Sequence, residues 1–121
     1  MQSNKIERTA SEMLTRRSDF VCVQKAGQKW VAKTVILQIK ANDLDRIRLG
    51  FTITKKIFKS AVKRNRVKRR LRSAAADIIL MHAKPGYDYI LIGRDETLTC
   101  DYQRLVSDLK WCLKKKDLLK R

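Results

Sequence analysis

Acidic residues are scarce in this chain, with 12 Asp and Glu against 29 Lys and Arg in 121 residues, for a net charge of +17. Between Arg46 and Ala76 they are absent altogether, while the same window holds 12 Lys or Arg. That absence excludes neutralisation of the window from within its own sequence and calls for an external polyanion. Histidine is nearly missing as well. His82 is the sole one, and its place near an expected helix end reads as a cap rather than a catalytic base. The acids that do occur are scattered and show no spacing suited to two-metal hydrolysis, and there is no glycine-rich phosphate loop. Three cysteines, Cys22, Cys100 and Cys112, are odd in number and widely spaced, which argues against a disulfide framework or a zinc site and for reduced thiols in a cytoplasm. No long hydrophobic run occurs. Val35-Ile36-Leu37 and Ile90-Leu91-Ile92 fall far short of the ~20 residues of a spanning helix, and the first residues lead into no apolar stretch of the kind a secretory signal needs. Repeats and low-complexity linkers are lacking too.

What is present suffices for one modest core, since 44% of the residues are hydrophobic and the length suits a single domain. The chain is therefore read as one domain over 1–121, with 1–13 and 117–121 expected to be mobile. Ser18 is placed to cap a short helix through Asp19, Phe20, Val23 and Gln24, with Gly27 as its stop. A strand is predicted over 33–40, and Asn42-Asp43 supplies turn chemistry. The strand that follows alternates Ile47, Leu49, Phe51 and Ile53 with Arg48, Gly50, Thr52 and Thr54, so one face should be covered by helices and the other left open for a ligand. A long helix is predicted from about Val62 to Met81 on the buried stripe Val67, Leu71, Ala74 and Ile78. Pro85-Gly86 breaks the chain before a strand over 87–93. Thr99 or Asp101 opens a last helix with Tyr102, Leu105, Leu109 and Leu113 inward.

On the outward arc of the long helix, the 3.6-residue period gathers Asn65, Arg66, Arg69, Arg70 and Arg72. Guanidinium groups suit several phosphates at once, because each planar fork donates two parallel hydrogen bonds. Asn65 can both donate and accept, toward a base edge or a 2′-hydroxyl. The row holds no aromatic, so it suits backbone and shape recognition of folded RNA better than base stacking. A membrane-surface helix fits poorly, since the apolar stripe is rich in alanine and lacks a Trp anchor. Nuclear import signals belong on mobile tails rather than on a core-packing helix.

Lys55-Lys56 followed by Ala61-Val62-Lys63-Arg64-Asn65-Arg66-Val67-Lys68-Arg69-Arg70-Leu71-Arg72 resembles the signature of the bacterial ribonuclease P protein subunit, a strand ending in Lys-Lys coupled to an Arg-Asn-Arg helix start. Asp19-Phe20 with Val23, Leu49-Gly50-Phe51-Thr52 and Tyr89-Ile90-Leu91-Ile92-Gly93-Arg94 resemble its flanking elements, so the likeness spans roughly residues 14 to 115. The resemblance implies an α+β sandwich like a ribosomal-protein domain, in the order α-β-β-β-α-β-α, with a left-handed β-α-β crossover against the usual hand. It implies a cytoplasmic bacterial protein that assists a catalytic RNA in removing the 5′ leader of precursor tRNA. Mg²⁺ is then held mainly by the RNA, and this chain contributes neither catalytic residue nor metal ligand. The ribonuclease P RNA would dock on Lys55, Lys56, Lys63, Arg64, Asn65, Arg66, Lys68, Arg69, Arg70 and Arg72. The leader would lie in a cleft lined by Phe20, Gln24, Gln38, Arg48 and Thr52. No membrane and no obligate protein partner are expected. Two departures stand out: Phe58-Lys59 replaces a glycine and lengthens the loop by one residue, and Gln24 and Gln38 occupy cleft positions that are often aromatic. A ribosomal or ribosome-associated RNA-binding protein of similar fold is the alternative.

Overall fold

The computed structural model describes residues 11–120. Five strands form one sheet: β1 (Ser11–Met13), β2 (Gln28–Val31), β3 (Val35–Ala41), β4 (Ile47–Thr52) and β5 (Tyr87–Gly93). Their spatial order is β1-β4-β5-β3-β2. β3 runs antiparallel to β2 and β5, whereas β4 is parallel to both β1 and β5. The helices are α1 (Arg17–Ala26), α2 (Ala61–Ala74), α3 (Leu80–His82), α4 (Asp95–Thr99) and α5 (Tyr102–Lys115), with a π-helical stretch Ala75–Ile79 joining α2 to α3. β4 and β5 are neighbours, so α2 makes the β-α-β crossover expected for the fold.

Period-two alternation decides which side chains face which layer. Val35, Leu37 and Ile39 of β3, Ile47 and Leu49 of β4, and Tyr89 and Leu91 of β5 point into the main core, where they meet Val67, Leu71 and Ala74 of α2 and Leu105, Leu109, Cys112 and Leu113 of α5. The stripe predicted for the long helix is thus its buried face, Ile78 included. The opposite sheet face is not left wholly open, which corrects the one-sided expectation. Leu14, Val23 and Ile90 form a second small core there, joined by Phe20 and Ile92. β5 is buried on both sides for this reason, and its near-continuous apolar run Tyr89-Ile90-Leu91 follows.

The ends of several elements differ from the sequence reading. α1 begins at Arg17 behind an extended Arg16, and Ser18 lies inside the first turn rather than at the cap. Gly27 does end α1, with its N–H donating to the Val23 carbonyl at 2.8 Å. Its φ of −82° needs no glycine. The reason is space, because a Cβ there would stand 2.5 Å from the carbonyl oxygens of both Ile39 and Val23. Asp101 precedes α5 without a side-chain cap bond. His82 ends α3, and the bond formed there is between its carbonyl and the Lys120 N–H at 2.6 Å. Parts of both terminal segments belong to the fold. Residues 11–13 are strand β1, and residues 117–120 are tied back through buried Leu118 and the Ala83–Leu119 bridge. The remaining terminal positions, 1–10 and 121, lie outside the described residues.

Candidate nucleic-acid interface

The loop between β4 and α2 positions everything that follows. Phe58 is 4% exposed, its N–H bonds the Thr54 carbonyl at 3.0 Å, and its ring reaches toward Gly93 beneath Val67. The Phe58-Lys59 departure therefore works as an apolar anchor followed by an exposed lysine. Ser60 caps α2, its hydroxyl accepting the Lys63 N–H at 3.4 Å. From that fixed start the helix presents Lys63, Asn65, Arg66, Lys68, Arg69 and Arg72 to solvent, with Lys55 and Lys56 exposed on the loop before it.

Among the described residues, the carboxylate partners of cations belong to Arg46, Arg48, Lys84 and Arg104. No cation of α2 is paired with a carboxylate. Neutralising such a surface is left to a ligand, and the charge and exposure of the row suit phosphate groups.

Two of the ten basic-window residues assigned from sequence have internal duties. Arg64 is half-buried, and its Nη1 donates to the carbonyls of Phe58 and Lys59 at 2.8 and 2.9 Å, closing the loop. Arg70 reaches across to the α4–α5 junction, where Nη2 donates to the Cys100 carbonyl. Its Nε is buried without a hydrogen-bond partner. Both arginines shape the face more than they extend it. A spacing pattern cannot separate these roles, because the accepting carbonyls lie in other elements.

The second feature is a cleft of about 440 Å³ between α1 and the sheet, lined by Thr15, Arg17, Phe20, Val21, Gln24, Phe51, Thr52 and Ile53. It brings together Phe20, Gln24 and Thr52 of the expected set. Gln38 is half-buried on the same sheet face, between Lys29 and Ile90 in register, outside this lining. Arg48 is held elsewhere. It forms a fork with buried Asp88, two bonds of 2.7 Å each, while Asn42 donates to the same carboxylate at 2.9 Å and Asp19 lies 3.8 Å from Nη1. The Asp88 hydrogen bonds raise the Arg48 pKa against the opposing effect of burial. Arg48 thus pins β4 to β5 and to α1 rather than facing a ligand freely. Sequence reasoning missed Thr15, Arg17, Val21, Phe51 and Ile53 as cleft residues. Arg17 was discoverable, since it stands one helical turn before Phe20 and Val21.

No three of His, Cys, Asp and Glu come together as potential metal ligands among the described residues. The most buried acid, Asp88, is committed to Arg48 and Asn42.

The result is a small α+β protein with a cationic helix unpaired by carboxylates on one side of its sheet and an aromatic-lined cleft on the other, surfaces whose chemistry suits nucleic acid. The family described as Ribonuclease P matches residues 9–117. The ribonuclease P protein component of Paramagnetospirillum magneticum is 43% identical over 115 residues, covering 91% of this chain and 86% of that one. The chain belongs to the ribonuclease P protein family. Its fold is that of the solved ribonuclease P protein of Staphylococcus aureus, with a TM-score of 0.75 at 24% identity over 89% of this chain and 97% of that one. The protein from Thermotoga maritima gives 0.73 at 24% identity, over 85% and 96%.

Proposed function

We propose that this chain serves as the protein subunit of ribonuclease P, binding the catalytic RNA with α2 and the 5′ leader of precursor tRNA in the α1–sheet cleft. The observation that carries the proposal is the set of exposed α2 cations with no carboxylate partner, in a member of this family. Arg66, Lys68, Arg69 and Arg72 hold phosphates of the RNA subunit, Asn65 contacts a base edge or 2′-hydroxyl, and Lys55, Lys56 and Lys63 extend the contact along the loop. Arg64 and Arg70 position that surface. In the cleft, Phe20 supplies an apolar wall, Gln24 and Thr52 hydrogen-bond the leader, and Arg17 meets its phosphates.

Bringing substrate and RNA subunit together sets phosphates against phosphates, and this chain's cations reduce that repulsion at the point of contact. The hydrolytic chemistry is supplied by Mg²⁺ on the RNA subunit. The protein acts by positioning and charge screening, in the cytoplasm of a bacterium, with no obligate protein partner.

The test is precursor-tRNA cleavage by the cognate ribonuclease P RNA at low Mg²⁺, with and without the protein. Stimulation that requires the RNA, with the protein alone inert, is expected. Tight RNA binding without stimulation would instead favour a ribosomal RNA-binding role. Cleavage by the protein alone, abolished by one acidic substitution, would make it a nuclease in its own right.

A further inference from the structure

Trp111 is one of two tryptophans in the chain and is 44% exposed. It stands on the flank of α5 turned away from α2. The α2-facing flank is identified by Tyr102, which lines a cleft together with Arg66, Arg69, Arg70 and Ser73 of α2. On the other flank, Arg104, Asp108, Trp111 and Lys115 recur at intervals of three and four residues beside the β2–β3 turn. There they border a cleft of about 490 Å³ lined by Ala32, Lys33, Arg104, Ser107, Asp108 and Trp111. Neither the cationic face of α2 nor the α1 cleft shares a residue with it.

The charges of this cleft are arranged in one direction. Asp108 is its single acid, and both its oxygens are engaged. One accepts the Thr34 N–H at 3.1 Å and the Thr34 hydroxyl at 2.7 Å, the other the Arg104 Nε at 3.0 Å. Arg104 keeps its terminal nitrogens toward solvent, with its side chain 54% exposed. Lys33 is exposed on the turn. The Lys115 ammonium lies 5.2 Å from the Trp111 ring centroid, so a cation already accompanies the indole and can turn to a flanking phosphate.

We propose that this cleft is a second RNA contact that holds one unpaired nucleotide, its base stacked on Trp111 and its phosphate between Lys33 and Arg104. An exposed indole beside cations meets the two needs of a single-stranded nucleotide, a π-face and counter-charge. An acidic peptide would use the lysines and leave the indole without a role. An apolar protein surface would find only Ala32 and the indole among polar groups. The site complements α2, whose own residues include no aromatic.

The test is an NMR titration of the full-length ¹⁵N-labelled protein with an unstructured oligoribonucleotide and, separately, with a polyglutamate peptide of equal charge. Trp111→Tyr assigns the two indole N–H signals. The Trp111 indole signal is expected to shift with RNA and to stay in place with polyglutamate. In Lys33→Ala/Arg104→Ala, the midpoint of that shift should rise at least about fivefold. Trp111→Ala should weaken oligonucleotide binding by roughly fivefold or more, with Trp111→Tyr retaining most of it. The well-dispersed spectrum of each variant reports that it is folded. A Trp111 signal indifferent to RNA, one moved equally by polyglutamate, or equal binding by the Ala and Tyr variants would each overturn the proposal.

Discussion

Asp108 shows how a single side chain acquires a definite ionisation in this protein. Burial pushes its carboxyl pKa up, but the hydrogen bonds from Thr34 and Arg104 outweigh that effect and hold it below its ordinary value of 3.8. The carboxylate therefore contributes stability that is complete above 3.8 and is lost as pH falls through the lower folded value. Thr34→Val removes the hydroxyl donor and should cost about 1–2 kcal/mol near neutral pH, since a hydrogen bond to a charged group is among the stronger ones. The gap between the two proteins should narrow below pH 3.8, as read from urea midpoints across pH; a gap independent of pH would mean the bond is not to the ionised form. Cysteine reactivity divides in the same local way. Cys112 is fully buried, and burial followed by the nearby Asp108 charge lifts its thiol to about 12. Cys22 is exposed on α1. Iodoacetamide should thus label Cys22 in the native protein and reach Cys112 only on unfolding, by mass spectrometry of timed digests. Reduced thiols were legible from the odd count; their division into accessible and inaccessible was not, because exposure depends on what packs across from each.

At the scale of the element, α2 carries two kinds of arginine on one continuous helix. Arg66 and Arg69 are exposed, while Arg64 ties the loop through the Phe58 and Lys59 carbonyls. Arg66→Ala/Arg69→Ala should leave stability within about 0.5 kcal/mol and weaken binding to the RNA subunit. It should also flatten the logarithmic salt slope by roughly 0.7 to 0.9 for each phosphate that is no longer neutralised. Arg64→Ala should act in the opposite proportion, costing about 1–2 kcal/mol in urea unfolding through two unsatisfied carbonyls, with a smaller change in salt slope. Equal salt slopes for all three proteins would refute the division. Helix and stripe were legible here because a 3.6-residue period and a run of cations are local properties. The π-helical turn at Ala75–Ile79 was not, since it depends on how the end of the helix meets the sheet. Neither was α4, a five-residue helix too short to show a period.

The whole molecule is a sheet with unequal cover, and that inequality makes the cleft. α2 and α5 cover most of one face, whereas α1 covers the other only in part, leaving the space between Phe20, Gln24 and Thr52. Gly50 sets the closeness of that cover, since a Cβ there would stand 2.7 Å from the Phe20 ring. Gly50→Ala should force Phe20 aside, at about 1–3 kcal/mol as for other overpacked sites. It should weaken binding of a precursor tRNA bearing a leader while sparing mature tRNA; equal losses for the two would place the leader elsewhere. By itself the sequence determined the α+β class, the strands over β3 to β5, the buried stripes, the basic face and the family, because periodicity, charge and motif spacing are written along the chain. Only the tertiary structure decided that β1 joins the sheet, that Arg48 is bound to Asp88, that Arg64 and Arg70 are turned inward, and that Trp111 lines one cleft with Lys33. Those arrangements depend on partners brought together from separate elements, as are Thr34 and Asp108, 74 residues apart, and such proximity comes from packing, which no local pattern encodes.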